Sequence, residues 1–124
     1  MSTATSIRAW AAQALNQPVV PFSYDPGSLG AEDVEIRVEH CGLCHSDLSV
    51  IDGEWGPAAY PVVGGHEVIG TVVALGSQAR GLKLGQRVGL GWMSGSCMAC
   101  APCLSGQPQM CRAGVPTIIG HHGG

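Results

Sequence analysis

Charge is what this sequence has least of: Asp, Glu, Lys and Arg make up 12% of its 124 residues, and the formal net charge is −3. With no stripe of Lys and Arg to meet a row of phosphates, nucleic acid is excluded as a partner. Long apolar runs are also missing. None approaches the roughly 20 residues that a helix needs to cross a bilayer, so no membrane partner is expected. The opening residues, MSTATSIRAWAAQ, contain no basic stretch leading into an apolar segment, and without a signal-peptide pattern the expected location is cytoplasmic. No G-x-G-x-x-G follows a strand and opens a helix, so nothing here predicts a dinucleotide held in the Rossmann manner. Disorder is excluded as well, because 45% of the residues are hydrophobic.

What the sequence does have is glycine, 19 of them, cutting the chain into short segments. Ser6 to Trp10 and Val19 to Phe22 bracket a more polar stretch and predict a first hairpin. Val34 to Glu39 alternates apolar with charged residues, the period of a half-buried strand, with Glu35, Arg37 and Glu39 on the solvent face. Ser46 to Asp52 predicts a short helix that Gly53 ends. Glu67 to Leu75 is rich in β-branched residues and predicts a strand in which Gly70 marks a bulge or bend. Gln86 to Trp92 is a further strand, introduced by the turn-like Gly81 to Gly85. Short strands with glycine-rich turns and little helical periodicity predict a mainly β fold, a small, partly open barrel occupying residues 1–124 as one domain.

Six cysteines could make three disulfides in a secreted domain. Their short, regular spacing and the missing signal peptide favour metal thiolates. The run from Cys97 through Cys100 and Cys103 to Cys111 reads C-x2-C-x2-C-x7-C. Four thiolates closing a tetrahedron are the preferred set for a structural zinc, and Ser105 to Pro108 supplies the loop that brings Cys111 round. An iron–sulfur cluster also uses spaced thiolates, but the ferredoxin run has a different last spacing and a proline where Arg112 stands.

A second constellation lies upstream. His40-Cys41-Gly42-Leu43-Cys44-His45-Ser46-Asp47 is followed some twenty residues later by Gly64-Gly65-His66-Glu67. A Cys, a His and two carboxylates are the ingredients of an open metal site, which keeps one position for water or substrate. Alone, the Cys-x2-Cys could equally be a redox pair or half a zinc finger, and the His a structural one.

Taken in order, CGLCHSD, GGHEVIG and CMACAPCLSGQPQMC resemble the zinc-dependent alcohol dehydrogenases of the medium-chain superfamily, and CHSD is similar to their cinnamyl-alcohol dehydrogenase branch. The resemblance, carried from about Val34 onward, implies a GroES-like barrel that serves as catalytic domain, with a separate Rossmann domain for NAD or NADP. It implies zinc-assisted hydride transfer between small alcohols or aldehydes and that cofactor, and admits a homo-oligomer of the full-length enzyme. Cys44 and His66 would ligate the catalytic zinc, while Cys97, Cys100, Cys103 and Cys111 hold the structural one. Asp47 would orient His66, Ser46 would pass the substrate proton, and Glu67 would stand near the zinc. His45 would approach the cofactor pyrophosphate, and Trp55 and Trp92 would line the substrate pocket. Cys41 is then structural rather than a ligand.

The pattern is departed from in three ways. No third ligand for the catalytic zinc is present, the dinucleotide motif is missing, and the position five residues after Cys44, often a relay histidine, is Ser49. The chain therefore reads as a truncated part of a longer enzyme, inactive alone. His121 and His122 read as a loop before a further strand. The alternative is a non-catalytic GroES-like zinc module, which would have no need of Ser46, Asp47, His66 and Glu67 together.

Overall fold

In the computed structural model, which describes residues 6–120, the elements run β1 (Ile7–Ala12), β2 (Val19–Tyr24), β3 (Val34–Gly42), α1 (His45–Ile51), β4 (Val62–Val63), β5 (Glu67–Leu75), β6 (Arg87–Leu90), β7 (Met93–Gly95), α2 (Ala101–Leu104), a 3₁₀ turn (Pro108–Met110) and β8 (Val115–Pro116). The chain is mainly β, as expected, with open sheets. His121 and His122 lie outside the described residues.

The expected N-terminal hairpin is there, with Ile7 opposite Tyr24 and Ala12 opposite Val19. Asn16, at φ 60°, turns it, since Asn tolerates the left-handed region better than most residues. β4 pairs with the other edge of β1, giving the order β2-β1-β4. In the second sheet, β3-β5-β6, the central strand has the period of two that its composition predicts: Val68, Gly70, Val72 and Ala74 are buried, while Glu67 and Ile69 are exposed.

Gly70 marks an irregularity, but the extra residue sits in the opposing strand, where the register shifts between Val38 and His40. A Cβ on Gly70 would lie 2.5 Å from the Arg37 carbonyl oxygen, so its bare Cα lets the bulged strand come in. A second shift falls between Glu35 and Ile36. At the first shift the unmatched residue is Glu39 in β3, and at the second it is Val73 in β5; with the bulge in its own strand, β3 keeps the expected alternation only in part. Arg37 and Glu39 are exposed, but Glu35 is half-buried and Val38 is 55% exposed.

The helix begins one residue earlier than expected. Cys44 is its N-cap, with its N–H donating to Asp47 Oδ2 at 2.9 Å, and Gly53, at φ 68°, turns the chain away beyond the cap residue Asp52. Val50 and Ile51 on its inner face pack with Ala12, Val62 and Ile118, and the partly buried Ala58, Tyr60 and Trp92 close round them. Ile118 is 1% exposed, and burying a side chain of that size contributes about 1.5–3 kcal/mol. Thr117 holds it there, its N–H donating to the Trp92 carbonyl at 2.7 Å and its hydroxyl to the Gly91 carbonyl at 2.6 Å. The core thereby fixes both α1 and Trp92, the two elements between which His66 lies.

β6 is shorter than the sequence suggests: Gly91 and Trp92 leave the sheet and lead to β7, which pairs with β8, Met93 opposite Pro116. This small ribbon is the base from which residues 96–114 project as the cysteine lobe.

Candidate metal centres

In the lobe the sulfurs of Cys97, Cys100, Cys103 and Cys111 all lie within 4.8 Å of one another. Cys100 and Cys103 are 3.4 Å apart and Cys97 and Cys103 4.0 Å. Four thiolates at ~2.3 Å round one tetrahedral ion would be spaced about 3.8 Å, so the donor set fits zinc without rearrangement. Met98 adopts φ 54° between the first two cysteines and turns the backbone so that the Cys100 N–H donates to Cys97 Sγ at 3.3 Å. Cys97 also donates its own N–H to Cys111 Sγ at 3.4 Å. Cys100 caps α2, Pro102 sits in its first turn, and Gly106, at φ 81°, starts the return to the 3₁₀ turn that delivers Cys111.

These amide donors separate the thiols electrostatically. The Ala99 N–H first, then the Cys100 N–H and the neighbouring thiols, lower the Cys97 pKa to about 6. At Cys100 the Cys103 N–H pulls the pKa down, but it is outweighed by the Cys103 thiol, burial, and the Cys97 and Cys111 thiols, and the value stands at about 12. One thiolate forms readily, while each further one in so small a space calls for a cation.

The second centre joins α1 to the segment before β5. Cys44 Sγ lies 3.3 Å from His66 Nε2, and His66 Nδ1 lies 3.0 Å from Asp47 Oδ1 on the other side of the ring. Asp47 and His66 are 3% and 6% exposed. A carboxylate oxygen facing Nδ1 suits the ring tautomer with its proton on Nδ1, the one that offers the Nε2 lone pair toward Cys44. A tetrahedral zinc held by one sulfur and one imidazole nitrogen would separate them by about 3.5 Å, so these two donors also fit. Asp47 lies within ligand range too, but its oxygens are engaged. Oδ1 also accepts the Gly65 N–H at 2.7 Å, and Oδ2 accepts the Cys44 N–H. It therefore orients the segments that carry Cys44 and His66 at once rather than adding a donor.

The other residues singled out from the sequence are distributed round this pair. Ser46 is half-buried between Cys44 and Asp47 in sequence, and His45 is exposed at the first position of α1. Glu67 is exposed and outside the Cys44–Asp47–His66 group; its carboxylate lies where a Cβ on Gly42 would stand. Trp92 packs its ring edge-on to His66, centroids 4.9 Å apart at 89°, and Trp55 stacks edgewise on Trp92 at 6.0 Å. Cys41 is exposed, its sulfur beside the Gly65 Cα and 3.6 Å from the Gly42 carbonyl oxygen. Glu54, which the sequence did not single out, accepts the hydroxyl of the buried Ser49 at 2.7 Å. Its place three residues beyond the helix gave no periodic signal.

Comparison with known proteins bears on this geometry. The family described as alcohol dehydrogenase GroES-like domain matches residues 30–124. Aldehyde reductase AdhA of Synechocystis sp. is 54% identical over 118 residues, covering 95% of this chain and 35% of the relative. Among solved structures, a cinnamyl alcohol dehydrogenase from Sorghum bicolor matches with TM-score 0.84 and 40% identity, over 96% of this chain and 35% of that one. A CAD from Helicobacter pylori complexed with NADP(H) matches with TM-score 0.85 and 33% identity, over 90% and 32%. The chain spans about a third of the length of the curated relatives it matches. No helix among the described residues is long and apolar enough to cross a membrane.

Proposed function

The chain belongs to the alcohol dehydrogenase GroES-like domain family, and from that premise we propose that it is the zinc-bearing catalytic part of an enzyme that interconverts alcohols and aldehydes with NAD or NADP. The observation that carries the reading is Cys44 Sγ 3.3 Å from His66 Nε2, with Asp47 accepting from the far side of the same imidazole. A purely structural module has no use for a second, incompletely ligated pair of this kind.

In this reading Cys44 and His66 hold the catalytic zinc, and the four thiols of Cys97, Cys100, Cys103 and Cys111 hold a closed structural one. When bound, the catalytic ion supplies Lewis acidity that eases ionisation of an alcohol and polarises a carbonyl. The protein's own residues do the rest. Asp47 keeps the His66 ring in the tautomer that offers Nε2. Ser46 accepts the hydrogen bond of the substrate hydroxyl and passes its own proton outward to water as that proton arrives, with the reverse order in reduction. Trp92, with Trp55 against it, walls the site with aromatic surface and keeps water from one side of His66, which favours an apolar or aromatic alcohol. His45, exposed at the start of α1, faces the cofactor, and Glu67 stands in the surroundings of the zinc.

Cobalt(II) in place of zinc tests the proposal. The chain should show cobalt at two kinds of site, and the absorption of the weaker one should shift on adding benzyl alcohol. Cys44→Ser should abolish that response and leave the tetrathiolate spectrum. A response that persists in Cys44→Ser would contradict the reading.

A further inference from the structure

We infer that Glu54 is a positioning residue that sets the aromatic wall beside His66, an inference that rests on the function proposed above. Two hydrogen bonds tie Glu54 back to the helix: its Oε2 accepts the Ser49 hydroxyl at 2.7 Å, and its N–H donates to the Ser49 carbonyl at 2.9 Å. Ser49 is 2% exposed, so this anchor is set in the buried face of α1. The segment it holds would otherwise be loose, because Gly53 at φ 68° and Gly56 at φ 117° bracket it, and glycine leaves the backbone many alternatives.

The next residue is Trp55. It is 61% exposed, so little packing fixes its place beyond the edgewise contact with Trp92, at 6.0 Å and 69°. Trp92, by contrast, is held by the core and meets His66 at 4.9 Å. The links therefore run from Ser49 to Glu54 by hydrogen bonds, from Glu54 to Trp55 along the backbone, and from Trp55 through Trp92 to His66 by ring contact. Glu54 decides whether Trp55 lies against Trp92 or swings into water, and so how much flat apolar surface the site offers an aromatic alcohol over a small one. The rival role, a carboxylate receiving protons through Ser49, needs the charge; positioning needs only an acceptor at the same atom.

Circular dichroism of the zinc-loaded chain separates the two. An edgewise indole pair at this distance gives an exciton couplet, and Trp55→Phe defines its absence. Glu54→Ala and Ser49→Ala should each lose about half of the couplet or more, while Glu54→Gln, which keeps the acceptor, retains it. Zinc content and the thermal midpoint report whether each variant is folded, and if Glu54→Ala fails to fold, Ser49→Ala against Glu54→Gln decides. A wild-type couplet in both alanine variants, or equal loss in Glu54→Gln and Glu54→Ala, would overturn the inference. The couplet does not depend on alcohol chemistry, so its outcome stands apart from the cobalt test of function.

Discussion

His66 Nδ1 lies 3.0 Å from Asp47 Oδ1, and Asp47 reaches through its remaining capacity to the Gly65 and Cys44 amides. One carboxylate thus fixes the ring and both backbone segments that carry Cys44 and His66. Asp47→Asn puts an amide NH₂ against one of these donors. We expect metal affinity at the Cys44–His66 pair to fall about 10–100-fold, as for other outer-sphere partners of a ligating histidine. The orphaned buried amide should also cost about 1–3 kcal/mol of stability. Cobalt titration and chemical denaturation measure the two effects; unchanged affinity would show that Asp47 does not orient the ligand.

The lobe predicts an order of thiol reactivity once metal is stripped. With its pKa lowered to about 6 by the Ala99 and Cys100 amides, Cys97 should be alkylated first by iodoacetamide at neutral pH, and Cys100, at about 12, should resist. The linkage sign follows from the lowered value. Ionised Cys97 is favoured in the fold, so its contribution is present above the ordinary thiol value of 9.0 and is lost as pH falls through about 6. Mass spectrometry of the alkylated chain and denaturation of the metal-free chain across that window check both statements. Faster alkylation of Cys100 would contradict them.

Gly65 is under two constraints at once: φ is 108°, and an added Cβ would stand 2.6 Å from Cys41 Sγ. Gly65→Ala should cost about 1–3 kcal/mol and weaken metal at the adjacent His66. Adding Cys41→Ala should recover part of the loss by clearing the sulfur. If the double variant is no more stable than Gly65→Ala alone, the backbone angle carries the whole cost.

Much of this was legible in the sequence because local chemistry dictated it. The β-branched run Glu67 to Leu75 became the central strand with its bounds intact, and the hairpin followed from two apolar segments round a polar turn. The four lobe cysteines come together because their spacing leaves them few other arrangements. What could not be read depended on partners distant in sequence. The two register shifts between β3 and β5 arise from the fit of one strand to the other, and the bulge at Glu39 spoils an alternation that looked clean. The Met93–Gly95 and Val115–Pro116 ribbon pairs strands too short to carry a period of their own. Trp92 meets both the core and His66 only after Thr117 has docked the last segment beneath it. Glu54 needed the loop after α1 to fold back on Ser49 before its side chain meant anything.

In the proposed function two separate zinc sites have different duties, a closed one in the lobe and an open one at Cys44 and His66. Zinc analysis of Cys97→Ser and Cys44→Ser, before and after mild chelation, tests it most directly. Cys97→Ser should lose the tightly held zinc, whereas Cys44→Ser should keep it and lose only the ion that the chelator removes readily. Loss of the tight zinc in Cys44→Ser but not in Cys97→Ser would contradict it.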